Sequence, residues 1–337
     1  MFGRVFVRLR YLIGRARRLS PSHLFGMAGA ISKTVKRPRL FIVADMLWCA
    51  AVLEAAFQDY YDWDFQLLTR SERRTFMTHP KSNHLVNRYN QPEYRHTFRD
   101  KIEFNTAFPD QIGRAWLDVR QATSTELRHF ALAHGRIMAK VPDSLSGIGI
   151  RSYRADEIVD WDAFRAKLLA GRQFLVEEFI VQHHEMDRIC PTSVNSLRMI
   201  SFFDGQNTTL LASVLKIGNG GDVDNFSSGG MYTMLDDEGV ARYAAFDAAG
   251  GTYSVHPLSG VSIVGFRVPD YREAIALVNQ VSPVVPQVPY IGWDVAVTPN
   301  GPILIEGNPN SGVYQLKPSL SGVRTGLLPV YRAAMQF

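Results

Sequence analysis

Cysteine is scarce in this chain. Among 337 residues there are two, Cys49 and Cys190, with no metal-type spacing. That argues against a cysteine-held metal and fits a reducing compartment. No Gly-Lys-Ser/Thr opens a helix, so a Walker-type phosphate loop is excluded. No stretch qualifies as a transmembrane helix: the best, residues 40–57, is interrupted by Asp45 and Glu54. The apolar run Tyr11-Leu12-Ile13 is too short and too Arg-flanked for a signal peptide. These absences lead to the expectation of a cytoplasmic protein. Acid is missing from residues 1–40, which hold ten Lys/Arg. The rest carries 27 basic against 32 acidic residues, so the net charge of +5 describes an N-terminal arm. A nucleic-acid-binding reading of the whole chain loses its basis, and no nucleic-acid partner is expected.

What is present is ordinary for a globular protein: 46% hydrophobic and 20% charged residues, in a chain long enough for two or three subdomains. Residues 2–18 have helical periodicity. Phe2, Val5, Phe6, Leu9, Leu12, Ile13 and Ala16 line one side, with Arg4, Arg8, Arg15 and Arg18 opposite. Three readings stay open for this segment: a helix lying on an anionic membrane at the inner face, a terminal helix packed on its own domain, and a mitochondrial transit peptide. Residues 40–95 read as largely helical, and Asn90-Gln91-Pro92 marks a break before a boundary near residue 97.

Beyond that boundary the pattern changes. Residues 126–134 read as a helix, 136–141 as a strand carrying Lys140, and 150–153 as a returning strand. The loop between them holds Ser144, Ser146, Gly147 and Gly149. Loop amides and the Lys140 ammonium would all point at negative charge, one way to cover phosphates. A helix over 161–169 precedes a buried strand, 174–180, that runs through Glu177 and Glu178 into Phe179 and Ile180. Backbone groups beyond such a strand can bind a purine edge, and Glu185 is placed to hold ribose hydroxyls. His183-His184-Glu185 is set aside as a metal site, because adjacent histidines on an extended segment point to opposite faces. Residues 195–203 and 210–217 read as an antiparallel pair carrying Arg198 and Lys216, followed by a Gly-rich loop over 218–230.

Near the C-terminus lies the most informative stretch. Residues 292–308 read as a β-hairpin turning at Thr298-Pro299-Asn300-Gly301, with Gly301 completing a three-residue loop. Paired positions then sum to 600. Asp294 opposes Glu306, and Gly292 opposes Asn308, so Asp294, Glu306 and Asn308 share a face. Trp293, Val295, Val297, Ile303 and Ile305 form the expected core face. Facing carboxylates repel unless something positive lies between them. The set suits Mg²⁺ carrying a nucleotide phosphate, or else the polar side simply faces water.

Taken in order, these pieces resemble the ATP-grasp superfamily: Lys101, Lys140 with its Ser/Gly loop, the Glu177-Glu178-Phe179-Ile180 hinge, Arg198 and Lys216, then Asp294 with Glu306-Gly307-Asn308. Asn195-Ser196-Leu197-Arg198, the Asp224–Gly230 run, His256-Pro257 and Gly292-Trp293-Asp294 are similar to the sugar-transfer-associated branch. The resemblance covers about residues 95–320. It implies an α+β ATP-grasp fold, two subdomains whose antiparallel sheets clasp ATP, plus a mainly helical N-terminal region. The corresponding divisions are 1–97, 98–172 for the small subdomain and 173–337 for the large one with the metal site. By that resemblance Lys101 and Lys140 contact the α/β phosphates, with Ser146 and Gly147 in the covering loop. Glu177, Glu178, Phe179 and Ile180 hold adenine, and Glu185 holds ribose. Asp294, Glu306 and Asn308 carry Mg²⁺, with Mn²⁺ as an alternative. Arg198 stabilises charge on the transferring phosphoryl group, alongside Lys216. Many members have Arg just before the metal acid, where this chain has Gly292-Trp293.

The resemblance further implies an ATP-dependent ligase that joins a carboxylate to an amine through an acyl phosphate, in surface-polysaccharide or related conjugate biosynthesis. Its partners would be a small-molecule carboxylate and an amine or sugar-linked acceptor. Two alternatives remain: a phosphotransferase acting on a hydroxyl, and a nucleotide-binding accessory protein of a membrane-associated sugar-transfer system. Deleting residues 1–18 is expected to release the protein from anionic liposomes in a co-sedimentation assay. Full-length protein that never sediments with them would remove the membrane reading.

Overall fold

The computed structural model describes residues 21–144, 149–221, 224–226 and 229–337. The amphipathic segment 2–18, Ser146 and Gly147 lie outside the described residues. The chain divides into two units, Met1–His84 with Gln315–Ala333, and Leu85–Tyr314 with Ala334–Phe337.

The first unit is helical, as expected. Helices span Pro21–Val35, Arg39–Val52, Phe57–Asp62 and Arg70–Arg73. The apolar 40–57 run breaks after Val52, and Glu54 takes a positive φ of 55° that a side-chain-bearing residue adopts rarely. Asp45, in the middle of this apolar helix, turns inward. Its carboxylate accepts two hydrogen bonds from Arg73, at 2.7 and 2.8 Å, and one from the Tyr60 hydroxyl at 2.7 Å. Gln315 returns the chain to this unit by bonding both the amide and the carbonyl of Met77, at 2.9 and 2.8 Å.

The second unit holds two antiparallel sheets. The smaller contains β1 (Trp116–Asp118), β2 (Arg136–Lys140), β3 (Arg151–Arg154) and β4 (Leu175–Glu178) in the order β1-β4-β2-β3. Helices Ser124–His134 and Trp161–Ala170 cover one face, packing Leu127, Ala131, Phe164 and Leu168 on Ile137, Ala139 and Val176. Thr123 and Glu126 form a capping box at the start of the first helix, and Gly135 ends it with a positive φ of 68°. The larger sheet contains β5 (Ser196–Phe203), β6 (Thr208–Ile217), β7 (Met231–Met234), β8 (Ala245–Asp247), β9 (Thr252–Tyr253), β10 (Tyr290–Thr298) and β11 (Gly301–Asn308). Its order is β11-β10-β5-β6-β7-β8-β9. The helix Tyr271–Val281 packs against it through Ala274, Val278 and Val281. His183 caps a helix, His184–Ile189, rather than lying on an extended segment.

The β10–β11 hairpin exists, with a different construction from the one expected. Its loop has two residues, Pro299 and Asn300, because Thr298 pairs with Gly301. Between the turn and Leu304 the paired numbers therefore sum to 599, not 600. A bulge beyond Val295 then restores the anticipated register, so Asp294 faces Glu306 and Gly292 faces Asn308. The extra residue changes the core face. Leu304, opposite Val295, is buried with Trp293 and Val297, whereas Ile303 and Ile305 are only half-buried. Gly307, opposite Trp293, leaves space for Phe98: a Cβ there would lie 2.7 Å from the ring. A buried polar clamp holds the start of β10. Asn90 donates to the carbonyls of Tyr290 and Pro309, at 2.7 and 2.8 Å, and accepts from the Tyr290 amide at 3.0 Å. Asn90→Ala strands these buried groups and is expected to cost about 1–3 kcal/mol, read as a lower urea midpoint. An unshifted midpoint would mean that water replaces the clamp.

Candidate functional site

Three neighbouring strands bring charge together on the inner face of the large sheet. Asp294 on β10 lies directly opposite Glu306 on β11 and directly opposite Arg198 on β5. Arg198 grips Asp294 with two bonds, Nε to Oδ1 at 2.5 Å and Nη2 to Oδ2 at 2.9 Å. Gly292 supports this approach, since a Cβ there would sit 3.2 Å from Arg198 Cδ. Lys216 enters from β6 with its ammonium 3.7 Å from Asp294 and 3.2 Å from Asp224. Asp224 is itself held by the Ser196 amide at 2.9 Å. Asn308 donates to Glu306 at 3.2 Å.

The two facing acids are set apart electrostatically. Burial pushes the Asp294 carboxyl up, but Arg198 and then Lys216 more than offset it and hold it at about 2. Glu306 is pushed up, by burial first and then by the negative charge of Asp294. Arg198 and Lys216 are both raised, burial being outweighed by the Asp294 charge for the arginine and by Asp224 and Asp294 for the lysine. Asp294 is thus neutralised, and Glu306 is the acid that a further cation would relieve. Among the described residues no group of three or more His, Cys, Asp or Glu side chains is arranged to hold a metal ion by itself. The oxygen donors here are two carboxylates and the Asn308 amide, a hard set that fits Mg²⁺ or Mn²⁺ with water and phosphate completing the shell.

A second charge centre lies on the small sheet. Glu177 on β4 is buried between the Lys140 ammonium and the Arg114 guanidinium, with Arg114 at 2.8 Å and the Asn105 amide also at 2.8 Å. Burial raises the Glu177 carboxyl, yet Arg114 and Lys140 win and hold it well below the ordinary carboxylate range. Arg114 also reaches β11, donating to the carbonyls of Leu304 at 2.6 Å and Ile305 at 3.4 Å. It therefore ties the small-sheet acid to the strand that carries Glu306.

One cleft takes in eleven of the fourteen anticipated site residues. Lys101, Lys140, Glu177, Glu178, Phe179, Ile180, Arg198, Lys216, Asp294, Glu306 and Asn308 all line it. Ser146 and Gly147 fall outside the described residues. Glu185 is not among the lining residues: it opens the helix His184–Ile189 and pairs with Arg188 at 2.9 Å. Lys101 lines the cleft, but its ammonium is tied to the Ser144 carbonyl at 2.6 Å and the Pro142 carbonyl at 3.3 Å. It anchors the Ser/Gly loop, and burial lowers its pKa. Glu178 accepts from the Ala115 amide at 3.2 Å, while Arg136 stacks 3.8 Å over the Phe179 ring. Sequence reasoning missed Arg114, Asn105 and Arg136. Their partners lie far away along the chain, and no local pattern marks them. Asp224 was noticed only as part of a Gly-rich run; an acid near a buried lysine was the available signal.

Residues 166–324 match the family model described as sugar-transfer associated ATP-grasp. That stretch is similar to the ATP-grasp domains of this family. The curated proteins yield no match. Among solved structures, the chain overlaps the ATP-grasp ligase PsnB complexed with a phosphomimetic variant of a minimal precursor, Mg and ADP, at 12% identity and a TM-score of 0.43, over 74% of this chain and 61% of that one. It overlaps D-alanyl-alanine synthetase A from Vibrio cholerae at 13% identity and a TM-score of 0.37, over 65% and 57%. For D-cycloserine synthetase DcsG the values are 15% and 0.40, over 73% and 72%. Overlaps at these TM-scores assign nothing to individual residues, so the roles of the cleft's side chains rest on their own geometry. The Glu177 centre gives a direct test. Glu177→Gln leaves Arg114 and Lys140 buried without their counter-charge, and is expected to lower stability by about 3–5 kcal/mol in chemical denaturation. A loss below about 1 kcal/mol would show that Glu177 is not what balances the two cations.

Proposed function

We propose that this chain is a Mg-ATP-dependent ligase that activates a carboxylate as an acyl phosphate and lets an amine displace the phosphate. The observation that carries this reading is the row Glu306–Asp294–Arg198 across three adjacent strands, facing the Lys140–Glu177 centre within one cleft. ATP and Mg²⁺, with Mn²⁺ as a substitute, are the cofactors it calls for. Asp294, Glu306 and Asn308 would hold the metal, which when bound neutralises phosphate charge and orients the terminal phosphoryl group. Lys140, positioned by Glu177, meets the phosphates. Lys101 acts through the loop it anchors. The backbone beyond β4, at Phe179 and Ile180, offers hydrogen bonds to a purine edge, with Glu178 beside it. Glu185 retains a proposed ribose contact at the entrance to its helix.

In the reaction, a carboxylate oxygen attacks the γ-phosphorus and ADP leaves with the bridging oxygen. The amine nitrogen then attacks the acyl carbon, phosphate departs, and the nitrogen loses a proton. Arg198 would stabilise charge on the transferred phosphoryl group, substituting for the arginine that many family members carry just before the metal acid. Lys216 keeps Asp294 ionised when Arg198 turns to substrate. The acceptor class, a surface-polysaccharide or related conjugate component, is proposed from the family's association alone. Glu306→Gln removes a negative charge from beside Asp294. It should abolish Mg-ATP turnover, measured as amine-dependent phosphate release against pooled carboxylates and amines, while the melting temperature without ligands holds or rises. Unchanged turnover would sink the site assignment. ADP release without free phosphate would instead identify a phosphotransferase.

A further inference from the structure

The first unit carries a surface that the proposed chemistry does not use. On the helix Arg39–Val52, Leu40 and Phe41 are 71% and 72% exposed, and Leu47 and Val52 are 46% and 44% exposed. With the exposed Ala44 and Ala51 they fall within about 140° of one side of the helix at ~100° per residue. No polar residue interrupts that arc. Asp45, at its edge, is held inward by Arg73. The buried face of the same helix, Ile42, Met46 and Cys49, is the one that packs on its own unit. The outward face is therefore not a core face left over from a frayed end. It is a second apolar side on a helix whose first side is already satisfied.

Basic residues flank the start of this face, and the acid at its edge, Asp45, is paired with Arg73. Lys33, Lys36, Arg37 and Arg39 precede it, and residues 1–40 contain no acid. From the other side Arg70 lies 4.9 Å over the Trp48 ring. Arg37 and Arg70 both line a hollow that opens beside Phe41. Among the described residues no helix is long and apolar enough to cross a membrane. A helix with an apolar outer stripe and a basic border suits the plane of a lipid interface.

We infer that the outward face of Arg39–Val52 docks on an anionic phospholipid bilayer, with Leu40, Phe41 and Leu47 entering the acyl boundary and Arg37 and Arg70 meeting headgroup phosphates. The proposal is independent of the ligase reading, and its test involves no turnover.

The test is co-sedimentation of the full chain with phosphatidylcholine vesicles and with vesicles containing phosphatidylglycerol. Binding is expected to the second and not the first. Phe41→Ser with Leu47→Ser, and separately Arg37→Glu with Arg70→Glu, should each weaken binding by about tenfold or more. Far-UV circular dichroism and the melting temperature should match the unaltered chain, since the replaced side chains of the first pair are exposed. No binding to anionic vesicles by the unaltered chain would overturn the proposal. So would unchanged binding by both variants, which would leave segment 2–18 as the whole anchor. A dimer in analytical ultracentrifugation that Phe41→Ser with Leu47→Ser dissolves would also overturn it, by making a second copy the occupant of the face.

Discussion

A carboxylate in the middle of a sheet has no water to hold its charge, and the architecture around Asp294 is set by that constraint. Two unit charges at about 4 Å attract by roughly 4 kcal/mol at the effective dielectric of a protein site. The arginine and lysine around Asp294 outweigh its desolvation, as its low pKa records. The cations come from β5 and β6, so the order β11-β10-β5-β6 is also the order in which the charges must stand. Lys216 in turn needs Asp224, which brings the Gly-rich loop after β6 back to the sheet.

The small sheet repeats the solution. Glu177 has an arginine and a lysine, as Asp294 does, and each pair is gathered from different elements. Between these two balanced centres stands Glu306, for which the described residues supply no ion-pair partner and whose proton is held more tightly than usual. Of these three acids, Glu306 is the one beside which an added cation gains most. Arg114, bonded to Glu177 and to the carbonyls just before Glu306, keeps that position in register with the small sheet.

Much of this was legible because it is local. The strands read over 195–203 and 210–217, the helix over 126–134 and the turn at 298–301 each depend on neighbouring residues, and the elements formed within two residues of those bounds. The pairing of Asp294 with Glu306 was legible from the turn, though the two-residue loop and the bulge replaced the three-residue loop assumed for it. Contacts made by topology were not legible. Asn105 and Arg114 meet Glu177 across 72 and 63 residues, and nothing in their own neighbourhood announces it. Lys101 was legible as a cleft residue but not as one whose ammonium is already engaged by loop carbonyls. Glu185 lies off the cleft lining for a local reason: a helix begins at His184, and that acid pairs with Arg188.

The bulge in β11 means that this strand is read in two frames. Residues two apart on a regular strand point the same way, so Leu304 and Glu306 would share a face and one of them would be misplaced. The looped-out residue reverses the alternation between them, sending leucine to the core and glutamate to the cleft. Length between the turn and the acid is consequently a chemical variable. With Ile305 present, only the bulge keeps the glutamate out of the hydrophobic interior, whereas a chain one residue shorter there would need no bulge, its glutamate following Leu304 directly and still facing Asp294.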